Sequence, residues 1–203
     1  MARPKIHDDA LRDRLLDSAA RLVARDGARA LALRTLAAEA GTSTSAIYSL
    51  FGGKPDLFAA LHKAAFADFS ASQHAVGNSG DPQADLMVLA ETYRDWALQH
   101  PQLYAVMFGG ALTPALPADF DCPYAAESMR PLQQAAGRLI ETGATSAAAT
   151  VDAISVSLWA TVHGFVSLEL AQVLVPDSAP QHAYRVTCRV AIDGWLARRR
   201  PVR

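Results

Sequence analysis

The first apolar pattern along the chain has helical spacing and stops at a glycine. Its positions are Leu11, Leu15, Ala19, Leu22 and Val23. Intervals of three and four residues predict a helix with one buried face. Asp26-Gly27 ends that helix, because glycine accepts the left-handed turn that follows a helix end. The alanine-rich segment 35–40 predicts a second, short helix, which Gly41 ends.

A third short helix is predicted over residues 44–51, with Thr42 and Ser43 as candidates for its N-cap. Its apolar face, which can pack inward, consists of Ile47, Leu50 and Phe51. Its opposite, hydroxyl-bearing face consists of Thr44, Ser45, Tyr48 and Ser49. Glycine then allows the sharp turn between the second and third helices. The three helices together predict a helix-turn-helix arrangement.

The rest of the chain also has helical periodicity, without strand-like alternation longer than a few residues. Three further helices are predicted before residue 109: from Pro55 to about His74, from the end of the linker 77–82 to His100, and from Pro101 to Phe108. Three more are predicted after the loop 109–123: one that ends at Gly143, one over 150–175, and one over about 181–199. The pattern therefore predicts an all-α fold.

Segment 153–175 is long and apolar enough to raise the question of a membrane-spanning helix. It contains His163, Glu169 and Gln172, however, and a carboxylate is costly within hydrocarbon. We therefore expect no membrane insertion and predict that this helix is buried within the protein or between subunits.

Composition and charge narrow the classes of protein. Of the 203 residues 51% are hydrophobic, which excludes a disordered chain, and two cysteines do not make a disulfide framework. The charged N-terminus does not resemble a secretory signal, so we expect a cytoplasmic protein.

Residues 1–63 hold ten basic and seven acidic side chains, a net charge of +3, whereas residues 64–197 hold five basic and thirteen acidic side chains, a net charge of −8. This asymmetry favours an anionic partner for the N-terminal part.

The predicted helix-turn-helix is typical of DNA-binding proteins. Small hydroxyl side chains on the 44–51 helix would let it approach base edges and phosphates in the major groove. An ordinary helical hairpin with one polar face has the same pattern, so the pattern alone leaves both interpretations open.

Several segments resemble the TetR family of bacterial transcription regulators. They are 15–23 (LLDSAARLV), Gly27, 36–43 (LAAEAGTS), 46–51 (AIYSLF) and 54–58 (KPDLF). Further along, 159–164 (WATVHG) resembles the Trp-x-x-x-His-Gly signature of one branch of the family. The resemblance implies an N-terminal helix-turn-helix DNA-binding domain, placed at 1–56, and a C-terminal helical ligand-binding and dimerisation domain, placed at 57–203.

The resemblance also implies which residues contact DNA. The expected set is Arg34, Thr35, Thr44, Ser45, Ala46, Tyr48, Ser49 and Lys54. Base edges would lie at 44–46, and phosphates would lie at Tyr48 and at Lys54. The family's usual cap on the second helix is replaced by Ala32, its frequent lysine by Thr44 and its usual serine by Gly53. Each replacement removes a capping or phosphate contact.

A small-molecule effector is the second partner that the resemblance implies. The expected ligand-binding side chains are Phe66, Phe69, Tyr93, Trp96, Tyr104, Met107, Phe108, Trp159 and His163. An aromatic side chain at helical spacing is also an ordinary core residue, and a loop at 109–123 folded over the pocket would change its polarity. The last two predicted helices would form a homodimer, which presents two reading helices to a near-palindromic operator.

Other classes have less support in the sequence. No phosphate-binding loop or Gly-x-Ser-x-Gly motif is present, so we expect no enzyme, no cofactor and no metal site. A helical adaptor that does not bind DNA is one alternative. A redox-responsive regulator acting through Cys122 is another. The class that the sequence favours is a ligand-responsive regulator, and repression is the family's common mode.

Overall fold

The computed structural model describes residues 5–110, 112–174 and 179–197, without the side chains of residues 5–8 and 113. The helices of this described part are α1 (Lys5–Asp26), α2 (Leu33–Glu39), α3 (Thr44–Phe51), α4 (Lys54–His74), α5 (Pro82–Gln99), α6 (Pro101–Phe108), α7 (Pro123–Glu141), α8 (Val151–Leu170) and α9 (Pro180–Asp193). Within the same residues no strand forms, and the prediction of an all-α fold is confirmed.

The helices group into two compact units. Unit one comprises residues 1–68 and 100–124, and unit two comprises residues 69–99 and 125–203. Unit one therefore contains α1 to α3, most of α4, and α6. Unit two contains α5, most of α7, α8 and α9. The division at residue 56, expected from the family resemblance, stays a prediction.

Glycine turns set the ends of the short helices in unit one. Gly27, Gly41 and Gly52 have φ angles of +80°, +66° and +91°, a region that other residues rarely adopt. Gly27 and Gly41 are the glycines at which the sequence predicts the ends of the first two helices, and Gly52 directly follows the last residue predicted for the third. Ser43 caps α3, since its Oγ accepts a hydrogen bond of 3.2 Å from the amide of Ala46.

The core of unit one is built from the apolar faces that the periodicity predicts. Its fully buried side chains include Leu15, Ala19, Leu36, Ile47, Leu57, Phe58 and Leu61. Helix α1 packs against α2, α3 and α6. The helix that begins at Lys5 therefore supports both short helices of the helix-turn-helix.

Unit two is organised around α8, which packs against α5 and α9. Among the described residues, α8 is the one helix that is long and apolar enough to cross a membrane. One of its faces is buried inside unit two, at Ile154, Ser155, Leu158, Val162 and Val166. The other positions of α8 are exposed or half-buried, so the prediction of a helix buried on further sides, within the protein or between subunits, stays a prediction.

Two predicted helix ends are wrong. Helix α8 ends at Leu170 rather than at residue 175, and Gln172 then has a left-handed φ of 57°. Helix α9 ends at Asp193 rather than at residue 199. The backbone after α9 pairs with the turn after α7 instead, at Thr145 and Leu196. Residues 175–178 and 198–203 lie outside the described part of the chain.

A buried carboxylate ties α5 to α7. Asp85 is only 3% exposed, and it accepts hydrogen bonds from Ser79 Oγ at 2.6 Å and Arg138 Nη2 at 2.7 Å. Burial alone would raise the pKa of Asp85, but the hydrogen bonds from Ser79 and the guanidinium of Arg138 outweigh it and hold that pKa below its ordinary value. The charged form of Asp85 is therefore the one that the fold stabilises.

Replacement of Asp85 should destabilise the protein. We expect Asp85→Ala to lower the free energy of unfolding by about 2–3 kcal/mol, near the low end for a broken buried ion pair because Arg138 keeps some contact with water. Urea unfolding followed by circular dichroism measures this change. Asp95→Ala, at an exposed carboxylate of the same helix, should change the free energy by about 0.5 kcal/mol or less.

The contribution of Asp85 should also depend on pH. Because its folded-state pKa is lowered, its stabilisation is present above the unfolded-state pKa of about 3.9 and is lost as the pH falls through the folded-state value. The difference in unfolding free energy between wild type and Asp85→Asn should therefore be constant from pH 7 to pH 5 and shrink below about pH 4. A difference that grows on acidification would contradict this assignment.

Candidate nucleic-acid interface

The short helix α3 has one buried and one exposed face. Ile47 is fully buried, at 0% exposure, whereas the neighbouring Tyr48 is 57% exposed. Leu50 and Phe51, also predicted to face inward, are half-buried. Arg12 of α1 covers the Phe51 ring, with its guanidinium carbon 5.3 Å from the ring centre. These contacts fix the rotation of α3 about its own axis.

All eight side chains expected at DNA lie in unit one, and none of them is buried. The exposed ones are Arg34, Thr35, Ser45, Tyr48 and Ser49. The half-buried ones are Thr44, Ala46 and Lys54. Five of the eight belong to α3, and they follow its exposed side as the sequence pattern predicts. The surface combines hydroxyl groups, one methyl group and flanking cations.

Lys54 begins α4 and makes contacts within unit one. Its Nζ donates a hydrogen bond of 3.4 Å to the backbone carbonyl of Arg29 and lies 5.5 Å from the centre of the Phe58 ring. An ammonium group has three donors, so this contact leaves further donors on Nζ. The start of α4 is thereby joined to the turn that follows α1.

Two residues just before α2 bear on this surface, one through helix capping and one through charge. Ala32 occupies its N-cap and makes no side-chain capping hydrogen bond, which agrees with the loss expected from the sequence. The exposed Arg29 lies in the turn just before α2, and sequence analysis did not single it out. The sequence does contain an indication of this residue, because Arg29 is a basic residue in the turn between two predicted helices, three residues before Ala32. An arginine there adds positive charge beside Lys54.

Four of the expected ligand-binding side chains lie in unit one. Phe66, Tyr104 and Met107 are buried, and Phe108 is half-buried. The Phe108 ring centre lies 5.8 Å from that of Phe66 and 5.0 Å from that of Tyr104. Phe66, Tyr104 and Phe108 therefore form one aromatic group within unit one, with the edge-to-face and tilted contacts that aromatic rings favour.

The other five expected ligand-binding side chains lie in unit two. Phe69, Tyr93 and Trp96 are buried, His163 is half-buried, and Trp159 is 37% exposed. Phe69 contacts Tyr93 and Trp96 with ring centres 5.2 and 5.0 Å apart. The hydroxyl of Tyr93 lies 3.0 Å from Nδ1 of His163. Burial lowers the pKa of His163, because desolvation disfavours the imidazolium form.

His62 of α4 is a polar side chain that sequence analysis missed. Its ring lies 4.9 Å from Phe66 and meets Phe120 edge-on at 5.1 Å, so the 109–123 segment does reach α4. The Nδ1 atom of His62 is buried and has no hydrogen-bond partner. Burial lowers the pKa of this imidazole. A histidine one turn before Phe66 was the signal available in the sequence.

The two cysteines differ in their surroundings. Cys122 is half-buried and Cys188 is buried, and neither forms a disulfide. Burial raises the pKa of Cys188 to about 11, so its thiol stays protonated at neutral pH. Across the described ranges, no three His, Cys, Asp or Glu side chains gather as a metal-binding group.

Two family models match the chain, and together they span most of it. The model of "Bacterial regulatory proteins, tetR family" matches residues 15–61, which include α2, α3 and the start of α4. The model of "Tetracyclin repressor-like, C-terminal domain" matches residues 86–190, just over half of the chain. No curated protein matches the sequence.

Solved structures with the same fold cover nearly the whole chain. The putative regulatory protein SCO4313 is 26% identical, with a TM-score of 0.73 over 94% of this chain and 98% of that one. The TetR-family regulator PfmR from Thermus thermophilus is 18% identical, with a TM-score of 0.72 over 89% and 97%. A TetR-family regulator from Marinobacter aquaeolei is 15% identical, with a TM-score of 0.77 over 96% and 100%.

The matched models decide the family, and the solved structures agree with them in fold. The narrower resemblance to the branch marked by Trp-x-x-x-His-Gly stays a prediction. The family consists of transcriptional regulators rather than enzymes. The chain belongs to the TetR family of bacterial regulatory proteins, with an N-terminal helix-turn-helix DNA-binding domain and a tetracycline-repressor-like C-terminal domain.

Proposed function

We propose that this protein is a ligand-responsive transcriptional repressor that binds a near-palindromic operator as a cytoplasmic homodimer. The main support for this proposal is that α3 is amphipathic: Ile47 is completely buried, whereas Tyr48 is 57% exposed. A helix of a helix-turn-helix with a small, polar outer face fits the major groove.

The outer face of α3 supports base reading through hydroxyl groups. Thr44 and Ser45 lie in the first turn of the helix, the part that enters the groove in helix-turn-helix proteins. Their hydroxyls can donate to or accept from base edges, and the methyl group of Ala46 can contact a thymine methyl. The face carries no charged side chain from Thr44 to Phe51, so attraction to phosphates must come from residues around it.

Four flanking side chains supply the proposed phosphate contacts. Tyr48 and Lys54 are the principal ones, and Arg34 and Thr35 at the start of α2 add a cation and a hydroxyl. Phosphate contacts position a protein on DNA and make its binding depend on salt. Ser49 completes the exposed hydroxyl face of α3.

Exposed apolar side chains on α8 and α9 support the proposed dimer. Val156 and Trp159 of α8 are 57% and 37% exposed, and Val186 and Val190 of α9 are 47% and 65% exposed. The two valines of α9 are four residues apart and so lie on one side of that helix. Apolar surface shared by two packed helices is typical of a subunit interface.

The effector that we propose is a small apolar or aromatic molecule. Two aromatic groups support this class, one around Phe66 and Phe108 and one around Phe69 and Tyr93. Ligand sites are mostly apolar with a few polar groups, and His163 is one such group beside Tyr93. Helix α4 begins with Lys54, which is proposed to contact DNA, and has Phe69, which is proposed to contact the effector, near its end. One helix therefore contains residues proposed for both binding events.

Regulation would follow from linkage between the two sites. A ligand that favours a form of the dimer unsuited to the operator weakens DNA binding by the ratio of its affinities for the two forms. Bound DNA must weaken the binding of the effector by the same factor.

The proposed phosphate contacts can be tested with a double substitution. Tyr48→Phe combined with Lys54→Ala should weaken binding to an operator fragment about tenfold or more and lower the salt slope by about 1, since one hydroxyl and one cation are removed. Fluorescence anisotropy with labelled DNA at several salt concentrations measures both quantities.

A matched control makes the same chemical changes elsewhere in unit one. Tyr124→Phe combined with Lys63→Ala changes an exposed tyrosine and an exposed lysine outside α2, α3 and the start of α4. Binding of this control should equal that of the wild type. Equal losses in the two double variants would mean that the decrease comes from charge or folding in general.

The proposed interface can be tested with an added charge. Val190→Asp should shift the protein from dimer to monomer, with a dimer dissociation constant at least a hundredfold higher, because an unpaired carboxylate would be buried between the subunits. Analytical ultracentrifugation over a range of concentrations measures the constant. Ala126→Asp, at an exposed position of α7, should leave it unchanged. A dimeric Val190→Asp protein of wild-type stability would place the interface elsewhere.

A further inference from the structure

Arg12 of α1 is a half-buried cation that lies over the last residue of α3. Its guanidinium carbon is 5.3 Å from the centre of the Phe51 ring, and α1 packs against α3. Its nearest described acidic neighbours along α1, Asp9 and Asp13, form no ion pair with it. Among the side chains that the structure describes, this guanidinium therefore has no anionic partner.

The contact with Phe51 leaves the hydrogen-bond donors of Arg12 available. A phenyl ring has no oxygen or nitrogen acceptor, so the five N–H donors of the guanidinium are not used by it. The planar fork of these donors matches two oxygens of one phosphate group. A guanidinium held against a ring also loses less freedom when it binds an anion than one on a fully solvated side chain. Arg12 thus has the chemistry of an oriented phosphate-binding group.

The surroundings of Phe51 call for a cation if a phosphate is to bind there. Phe51 is the last residue of α3, and the C-terminal end of a helix has partial negative charge. The proposed phosphate contacts Tyr48 and Lys54 lie in the last turn of α3 and three residues after Phe51. The carboxylate of Asp56 is also near, since a Cβ added at Gly52 would lie 3.1 Å from its Oδ2. A phosphate beside Tyr48 therefore meets two unfavourable charges, which a second cation offsets.

We propose that Arg12 binds a backbone phosphate of the operator, beside the phosphates bound by Tyr48 and Lys54. The ligand is a phosphate rather than a base edge, because Phe51 lies at the opposite end of α3 from the residues proposed to read bases. Such a contact adds affinity for DNA of any sequence and adds no discrimination between bases. The inference rests on the proposed function and extends its phosphate contacts to α1.

Substitution of Arg12 separates a phosphate contact from a purely structural role. Arg12→Ala should weaken binding about tenfold and lower the salt slope by about 1, equally for an operator fragment and for a duplex of scrambled sequence. Arg12→Lys retains the charge and should recover most of the affinity. If Arg12 served only to hold α3 in place, Arg12→Ala would lose the preference for the operator and bind the scrambled duplex as the wild type does. That result would overturn the proposal.

Arg14→Ala is the matched control for Arg12→Ala. Arg14 is an exposed arginine two residues further along α1, which places it on another side of that helix. Its Nη1 donates a hydrogen bond of 3.3 Å to the backbone carbonyl of Ala10. Fluorescence anisotropy should show an affinity and a salt slope close to those of the wild type, and urea unfolding checks that each variant folds. Equal losses in Arg12→Ala and Arg14→Ala would contradict the proposed contact.

The contact can also be located on the DNA. A methylphosphonate replaces one charged phosphate oxygen by a methyl group, so a series of operator duplexes can be made that each lack a single charge. At one position this change should weaken binding of the wild type and leave binding of Arg12→Ala unaltered, because both changes remove the same interaction. A different position should behave in this way for Lys54→Ala. If every position weakens the wild type and Arg12→Ala alike, Arg12 contacts no phosphate.

Failure of this inference can be told apart from failure of the proposed function. Selective binding of the wild type to the operator, with unchanged affinity in Arg12→Ala, would overturn only the phosphate contact. Equal binding of the wild type to the operator and the scrambled duplex would contradict the proposed function, and the salt slope of Arg12→Ala would still decide the phosphate contact. A wild type that binds neither duplex would overturn both.

Discussion

The burial of Ile47 sets the rotation of α3, and every side chain proposed to read bases depends on that rotation. Helix α3 has only eight residues, too few for a helix to be stable by itself, so its position comes from packing on α1 and α2. The left-handed turns at Gly41 and Gly52 mark its two ends, and Ser43 caps its first turn. One buried isoleucine and two glycine turns thus define which face is available to DNA.

Unit two also depends on polar contacts that α5 makes with the three helices α7, α8 and α9. Asp85 binds Arg138 of α7, Arg94 makes two hydrogen bonds of 2.8 and 2.5 Å to Glu169 of α8, and the backbone of Ala90 accepts from Tyr184 of α9. Buried polar pairs are costly when a partner is missing, so they favour one arrangement of the four helices. Tyr93 and Trp96 lie on the same stretch of α5, and a ligand that reached them would meet a firmly held helix.

The sequence predicts the local features well, because glycine turns, caps and helical periodicity act within a few residues. The exposed face of α3 follows directly from the spacing of Ile47 and its neighbours. The end of α9 does not follow, since Leu196 beyond it pairs with Thr145, 51 residues earlier. Contacts such as Asp85 with Arg138 have no periodic signal either. The set of effector side chains stays a prediction, with four of its members in unit one and five in unit two.

The proposed function depends above all on whether the exposed face of α3 reads a specific DNA sequence. The most direct measurement is selection of genomic DNA fragments by the purified wild-type protein, followed by titration of the selected fragments at several salt concentrations. We expect saturable binding to fragments that share a near-palindromic sequence, with an affinity that falls steeply as salt rises. Weak binding of equal strength to selected and unselected fragments would contradict it.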